Sequence, residues 1–252
     1  MTISVAKTAE HGFGAERGQS PKWNMALAGL TAEQRHLIRS RMRTVALEPR
    51  SILFRQGEPS DTLVVLEQGR VRLLQTHENG EEFTFGVFVG GTILGLAALV
   101  LDRPRVLTGE AIDAVVVSLM TRQDFWDCTR VVPGFLENIT KLLALLSVES
   151  IERSGPLVLD DAWVRLGSIL TSLARAESGG AGSRLVIDGL TQEDLAKMAG
   201  VSRSWVGTAL AEFEHLALIS KRRGKIAIED QARLAHFISA RRNGASHSQG
   251  CL

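Results

Sequence analysis

Between residues 51 and 121 short apolar runs alternate with turn residues. The run 51–55 is followed by Gly57, 62–66 by Gln68-Gly69, 70–75 by Asn79-Gly80 and 83–89 by Gly90-Gly91; 115–121 closes the series. β-Branched residues favour a pleated surface, and Asn-Gly between alternating runs is a strong hairpin signal. Spacing this regular predicts a β-sandwich or jelly roll. The period then changes. Pro133 opens a run to residue 153 in which Leu136, Ile139, Leu143 and Leu146 recur at three- and four-residue steps. That is the seam of a coiled coil, widened by Leu142 and Leu145. The expected helix is longer than one small domain needs, so part of its face is expected to meet a partner. A second amphipathic helix carries Trp163, Leu166, Ile169, Leu170 and Leu173. A shorter helix is expected at 31–43, a strand at 184–187, and a last helix at 228–242 with Leu234, Phe237 and Ile238.

Residues 191–210, TQEDLAKMAGVSRSWVGTAL, read as a helix-turn-helix. Thr191 caps the first helix, with Asp194 three residues on as the acceptor of a capping box. Ala196 is small where two helices must cross. Gly200 supplies a positive φ at the turn, and Ser202 caps the second helix. Leu195, Val201, Val206 and Leu210 hold the pair together. Arg203, Ser204, Trp205 and Thr208 are expected on the open side. Such a unit docks with the first turn of its second helix at the base edges, so Arg203 is the candidate for a bidentate guanine contact. Thr191, Gln192 and Ser202 complete the expected DNA-facing set. Lys221-Arg222-Arg223-Gly224-Lys225 then forms a basic turn between two short strands. That is a wing whose Arg222, Arg223 and Lys225 are expected at phosphate.

Composition sharpens this picture. The 252 residues suffice for two compact domains, and the net charge is only +1. From residue 201 to 243, however, eight Lys/Arg face four acids, a local basic footprint. Two cysteines, Cys128 and Cys251, make neither a disulfide framework nor a zinc or iron–sulfur set. No catalytic residue, metal site or cofactor is expected. The six histidines show no ligand spacing, and no nucleophile elbow, phosphate loop or dinucleotide fingerprint occurs. Neither a signal peptide nor a membrane span is expected. The uncharged stretch 83–101 carries four glycines and reads as strands broken by turns.

A glycine-punctuated β-roll, a long helix and a C-terminal winged helix-turn-helix, in that order, resemble the CRP/FNR superfamily of bacterial transcription regulators. The marks are Phe54-Arg55-Gln56-Gly57-Glu58, Leu66-Glu67-Gln68-Gly69-Arg70-Val71, Asn79-Gly80-Glu81-Glu82, Gly95-Leu96-Ala97-Ala98-Leu99 and the helix-turn-helix. The resemblance implies an effector-sensing β-domain, a homodimer and a two-fold-related DNA site. It places effector binding at Gly95, Leu96, Ala97, Arg105 and Val106. Cyclic-nucleotide-binding relatives carry a ribose-binding glutamate where Leu96 stands, and a hydroxyl where Val106 follows Arg105. An unpaired ribose hydroxyl costs about 1–3 kcal/mol, so cyclic AMP is not expected. A small apolar or weakly anionic ligand, or none, suits the surroundings of Leu94, Leu96, Ala97 and Leu99. Many relatives also carry Glu and Arg where Ser204 and Thr208 stand, so the operator is expected to differ from the family consensus.

The expected fold is α+β: a flexible tail at 1–24, a jelly-roll sensor domain at 25–130, a dimerisation helix at 131–155, a winged helix-turn-helix at 156–242 and a second tail at 243–252. The expected partners are double-stranded DNA, a second copy through Leu136, Ile139, Leu143 and Leu146, an unknown small effector, and RNA polymerase in the cytoplasm. Two alternatives stand beside this. One is a ligand-independent or thiol-redox regulator of the same family, with Cys128 as the thiol. The other is a cyclic-nucleotide-type regulatory module of an enzyme that does not touch DNA.

Overall fold

The computed structural model describes residues 22–176, 185–222 and 224–245. The expected loop at 177–183, Arg223 and the outer parts of both tails lie outside the described residues. Along the chain, α1 (Lys22–Ala26) and α2 (Ala32–Ser40) precede β1 (Met42–Leu47), β2 (Ile52–Phe54), β3 (Thr62–Gln68), β4 (Arg70–Thr76), β5 (Glu82–Val89) and β6 (Thr92–Leu94). Then come α3 (Leu96–Val100), β7 (Thr108–Ala111), β8 (Val115–Thr121), α4 (Arg122–Val131) and α5 (Pro133–Leu159). The C-terminal part holds α6 (Ala162–Leu173), β9 (Arg175–Ala176), β10 (Leu185–Ile187), α7 (Gln192–Ala199), α8 (Arg203–His215), β11 (Ile219–Arg222), β12 (Lys225–Ile228) and α9 (Gln231–Ala245).

Two antiparallel four-stranded sheets, ordered β1-β8-β3-β6 and β2-β7-β4-β5, make the roll. Side chains alternate across each strand. Val64 and Leu66 of β3 therefore enter the space between the sheets, with Phe54, Val71, Leu73, Ala111, Val115 and Val117. Leu63 and Val65 point the other way, into a second core closed by the helices through Trp23, Ile38, Phe125, Phe135 and Ile139. β3 is buried on both faces and so reads as an unbroken apolar run.

Several bounds differ from the sequence expectation. The helix expected at 31–43 stops at Ser40, because Met42–Leu47 pairs in register with β8 and the sheet outweighs local propensity. Trp23 and Asn24 belong to α1 rather than a loose tail, and Trp23 is buried against Phe135. α4 was not foreseen; the Thr121 hydroxyl caps it by accepting from the Asp124 amide. α5 continues past Arg153 through Gly155 and Pro156 to Leu159. α9 starts at Gln231 and runs to Ala245, since residues 225–228 are the returning wing strand. Residues 83–101 form β5, β6 and α3, and no single helix among the described residues is long and apolar enough to cross a membrane.

The C-terminal domain packs α6, α7, α8 and α9 over the sheet β11-β12-β10-β9. Leu166, Leu170, Leu195, Val206, Leu210, Phe213 and Leu234 fill its core. Its junction with α5 is tied by ions. Arg242 of α9 donates two hydrogen bonds to Asp160, at 2.9 and 2.6 Å. Arg165 donates to the Asp160 and Ala199 carbonyls at 2.7 and 2.9 Å, linking that junction to the end of α7.

Candidate nucleic-acid interface and effector site

The two reading helices form for local reasons. The Thr191 hydroxyl accepts from the Asp194 amide at 3.1 Å, and Asp194 Oδ2 accepts from the Thr191 amide at 2.8 Å. α7 ends at Gly200 with φ +64, an easy conformation without a Cβ. The Ser202 hydroxyl accepts from the Trp205 amide at 3.2 Å and starts α8. Ala196 is buried where the helices cross.

Ser202, Arg203, Ser204 and Thr208 are exposed on one side, and Arg203 has no ion pair among the described residues. The Ser204 and Ser202 hydroxyls lie 3.0 Å apart, and the Thr208 hydroxyl donates to the Ser204 carbonyl at 3.2 Å. Thr191 is exposed at the N-terminus of α7, and Gln192 is half-buried. Trp205 departs from expectation. Its ring meets Trp163 edge-on, centroids 5.3 Å apart, and it packs on the domain core. Its half-buried indole helps hold α8 on α6. Arg222 and Lys225 are exposed on the wing, and Arg223 lies outside the described residues.

In the roll, Gly95 and Arg105 come together. Gly95 has φ +76, and a Cβ there would collide with Arg105 Nη1. The Arg105 guanidinium lies over the Phe54 ring, 4.6 Å from its centroid. Nη2 donates to the Thr62 carbonyl and, at 3.0 Å, to its hydroxyl. The residue is 4% exposed, yet Nε and Nη1 have no hydrogen-bond partner among the described residues. Burial pulls its pKa down, while Asp61 and Glu58 pull it up; the shift is downward. A buried donor left without a partner costs about 1–3 kcal/mol. The other expected effector residues divide. Ala97 is exposed and Val106 is 67% exposed. Leu96, like Leu94 and Leu99, is buried in the hydrophobic cores. The turn at Gly95 rotates Leu96 inward.

The expected dimer seam also divides. Ile139 is 1% exposed, buried in the chain's own core, and Leu143 and Leu146 pack against that core. A four-residue periodicity cannot say which neighbour it faces, and here the roll is nearer. Leu136 does face outward. So do Thr140, Ala144, Ser147, Val148 and Ile151, which recur at helical spacing. Cys128 is buried, and burial pushes its thiol up, with Arg41 opposing. That is the opposite of the lowered value that marks a reactive thiolate. His77 is exposed at the β4–β5 hairpin tip.

The family model for the cyclic nucleotide-binding domain matches residues 44–130, and the model for the Crp-like helix-turn-helix domain matches residues 164–237. The chain belongs to the CRP/FNR superfamily. Over 73% of its length it is 29% identical to the CRP-like cAMP-activated global transcriptional regulator of Mycobacterium tuberculosis, spanning 82% of that protein. It is 25% identical to the cyclic AMP receptor protein of Thermus thermophilus over 72% of its own length and 82% of that relative's. Its fold is shared with the c-di-GMP responsive regulator CLP of Xanthomonas campestris, with a TM-score of 0.68 at 18% identity over 80% of this chain and 100% of that one. This CRP/FNR chain is a transcription regulator with a cyclic-nucleotide-type domain and a helix-turn-helix.

One set of residues was missed. Arg70 and Arg72 of β4 reach Asp188 and Asp194 of the winged domain. The available signal was Arg-Val-Arg on an otherwise apolar strand, which puts both cations on one face.

Proposed function

We propose that this regulator binds a two-fold-related DNA site as a homodimer, and that a small anion at Arg105, rather than cyclic AMP, sets its DNA affinity. The observation that carries the effector reading is Arg105 itself, a buried guanidinium with two donor atoms unpaired beside a glycine. A carboxylate or phosphate oxygen would satisfy both, and charge-assisted hydrogen bonds of this kind are the stronger ones. Leu96 and Val106 offer nothing to a ribose hydroxyl or a second phosphate oxygen. Arg203 reads bases, with Ser202, Ser204 and Thr208 around it. Thr191, Gln192, Arg222, Arg223 and Lys225 flank the backbone. The protein works in the cytoplasm, where DNA and RNA polymerase meet.

The dimer reading is supported by the outward stripe Leu136, Thr140, Ala144, Ser147, Val148 and Ile151. Small residues there let a second helix approach, and Val148 and Ile151 are large apolar side chains left exposed on one chain. Isothermal titration with cyclic AMP and with a panel of small carboxylates and phosphates tests the effector reading. Cyclic AMP is expected not to bind at low micromolar concentration, and binding of any panel anion is expected to be lost in Arg105→Gln. Tight cyclic AMP binding overturns it.

A further inference from the structure

The outer face of the β2-β7-β4-β5 sheet is not a solvent face. Val71 and Leu73 of β4 enter the sandwich, while Arg70 and Arg72 project outward. Arg72 stands opposite Glu110 in register and grips its carboxylate through Nε at 3.3 Å and Nη2 at 3.0 Å. Its Nη1 reaches Asp194 in the first turn of α7, the same carboxylate that closes the Thr191 cap. Arg70 makes a two-point contact with Asp113, at 2.6 and 2.7 Å. It also donates from Nη1 to the Asp188 carbonyl at 2.8 Å, with Nη2 3.2 Å from Asp188 Oδ1. Gly189 follows with φ +69, a conformation that favours glycine, and its Cα lies close to the Arg70 guanidinium. On β5, Glu82 takes Lys197 of α7 at 2.6 Å. The contacts with Asp188, Asp194 and Lys197 seize α7 or the turn before it. The exposed side of α8 stays open.

We propose that Arg70 and Arg72 form an ionic clasp that fixes the orientation of the helix-turn-helix on the roll. They are positioning residues for recognition of a two-fold operator, and this rests on the homodimer reading above. Two reading helices must sit about 34–36 Å apart, one duplex turn, to engage both half-sites together. A buried ion pair adds little net stability, but its fork geometry holds one pose. The acidic partners Glu110 and Asp113 lie on and just after β7, the strand that leaves the Arg105 turn. The clasp therefore adjoins the effector cradle through one short strand.

The test uses the full-length protein and a palindromic duplex that it selects from a random pool. Fluorescence anisotropy compares that duplex, a single half-site, and palindromes with one or two base pairs added between half-sites. For Arg72→Met, half-site affinity is expected to stay near wild type, while palindrome affinity falls about tenfold or more, because avidity is lost when geometry forbids joint engagement. The wild-type preference for one spacing flattens. Arg70→Gln shows the same pattern. Arg72→Lys keeps the charge without the fork and shows a smaller version; it decides the matter if Arg72→Met does not fold. Equal loss on half-site and palindrome marks a mere folding role and overturns the clasp, as does no loss on either. A wild-type protein with no advantage on the palindrome overturns the homodimer reading instead, and the clasp with it.

Discussion

Arg203 and Arg222 are both exposed arginines in the winged domain, and under the proposed reading they are expected to have opposite duties. Arg203 follows the cap of α8, where a fork can meet O6 and N7 of guanine. Arg222 sits on the wing, where a cation meets phosphate. Arg203→Ala is expected to cost about 1–3 kcal/mol per half-site and to relax preference at one base pair. Arg222→Ala is expected to weaken all sequences alike and to lower the slope of log affinity against log salt by about one unit. Affinities for the best duplex and a scrambled one, each at several salt concentrations, separate the two. Equal loss on both duplexes for Arg203→Ala would make it a phosphate contact. At this scale the caps at Thr191 and Ser202 and the turn at Gly200 were legible, because caps and turns are local. Trp205 was not: whether a ring on a helix faces DNA or Trp163 depends on a residue 42 positions upstream in the chain.

α5 has two faces, and substitution should tell them apart. Ile139 is in the roll's core, so Ile139→Ala is expected to lower stability by about 2–5 kcal/mol without changing the oligomeric state. Ile151 is 73% exposed and lies on the outward stripe. Ile151→Asp is expected to leave the melting of each domain intact and yield monomer, since a charge is not tolerated in a closed apolar seam. Sedimentation velocity and a denaturant titration read both effects; a wild-type protein that is monomeric at micromolar concentration sinks the dimer reading. For α8, Ser202→Ala removes the cap and is expected to cost about 1 kcal/mol, visible as a lower midpoint for the winged domain. The heptad-like spacing made α5 legible as a helix but was silent on which face met the roll.

Across the whole molecule, pH should act on the seam between the domains. Burial raises the Asp194 pKa, but hydrogen bonds from Thr191 and the charges of Arg72 and Arg50 outweigh it, and the carboxyl lies below its ordinary 3.8. Glu110 on β7 and the Lys197–Glu82 pair on α7 and β5 face the same seam. A carboxyl depressed on folding contributes stability that is fully present above the unfolded value and is lost as pH falls through the folded one. Domain docking is thus expected to hold at neutral pH and to loosen in acid below the ordinary carboxylate range. Asp194→Asn, which keeps a cap acceptor but not the charge, is expected to flatten that dependence. Limited proteolysis between α5 and α7 as a function of pH checks it, and an unchanged profile in the variant rules it out.

Local chemistry by itself determined a great deal of this protein. Alternating runs and Asn-Gly made the roll, a sustained helical period made the spine, and caps three residues from their acceptors made the helix-turn-helix. These signals are short-range, and a chain carries them wherever it goes. Only the tertiary structure decided the rest. β1 became a strand because β8 was there to pair with it, Leu96 turned inward at a glycine, and Ile139 found the roll before any second chain. Arg72 met Asp194 across 122 positions of sequence. Such contacts depend on where distant elements come to rest, and no periodicity along the chain records that.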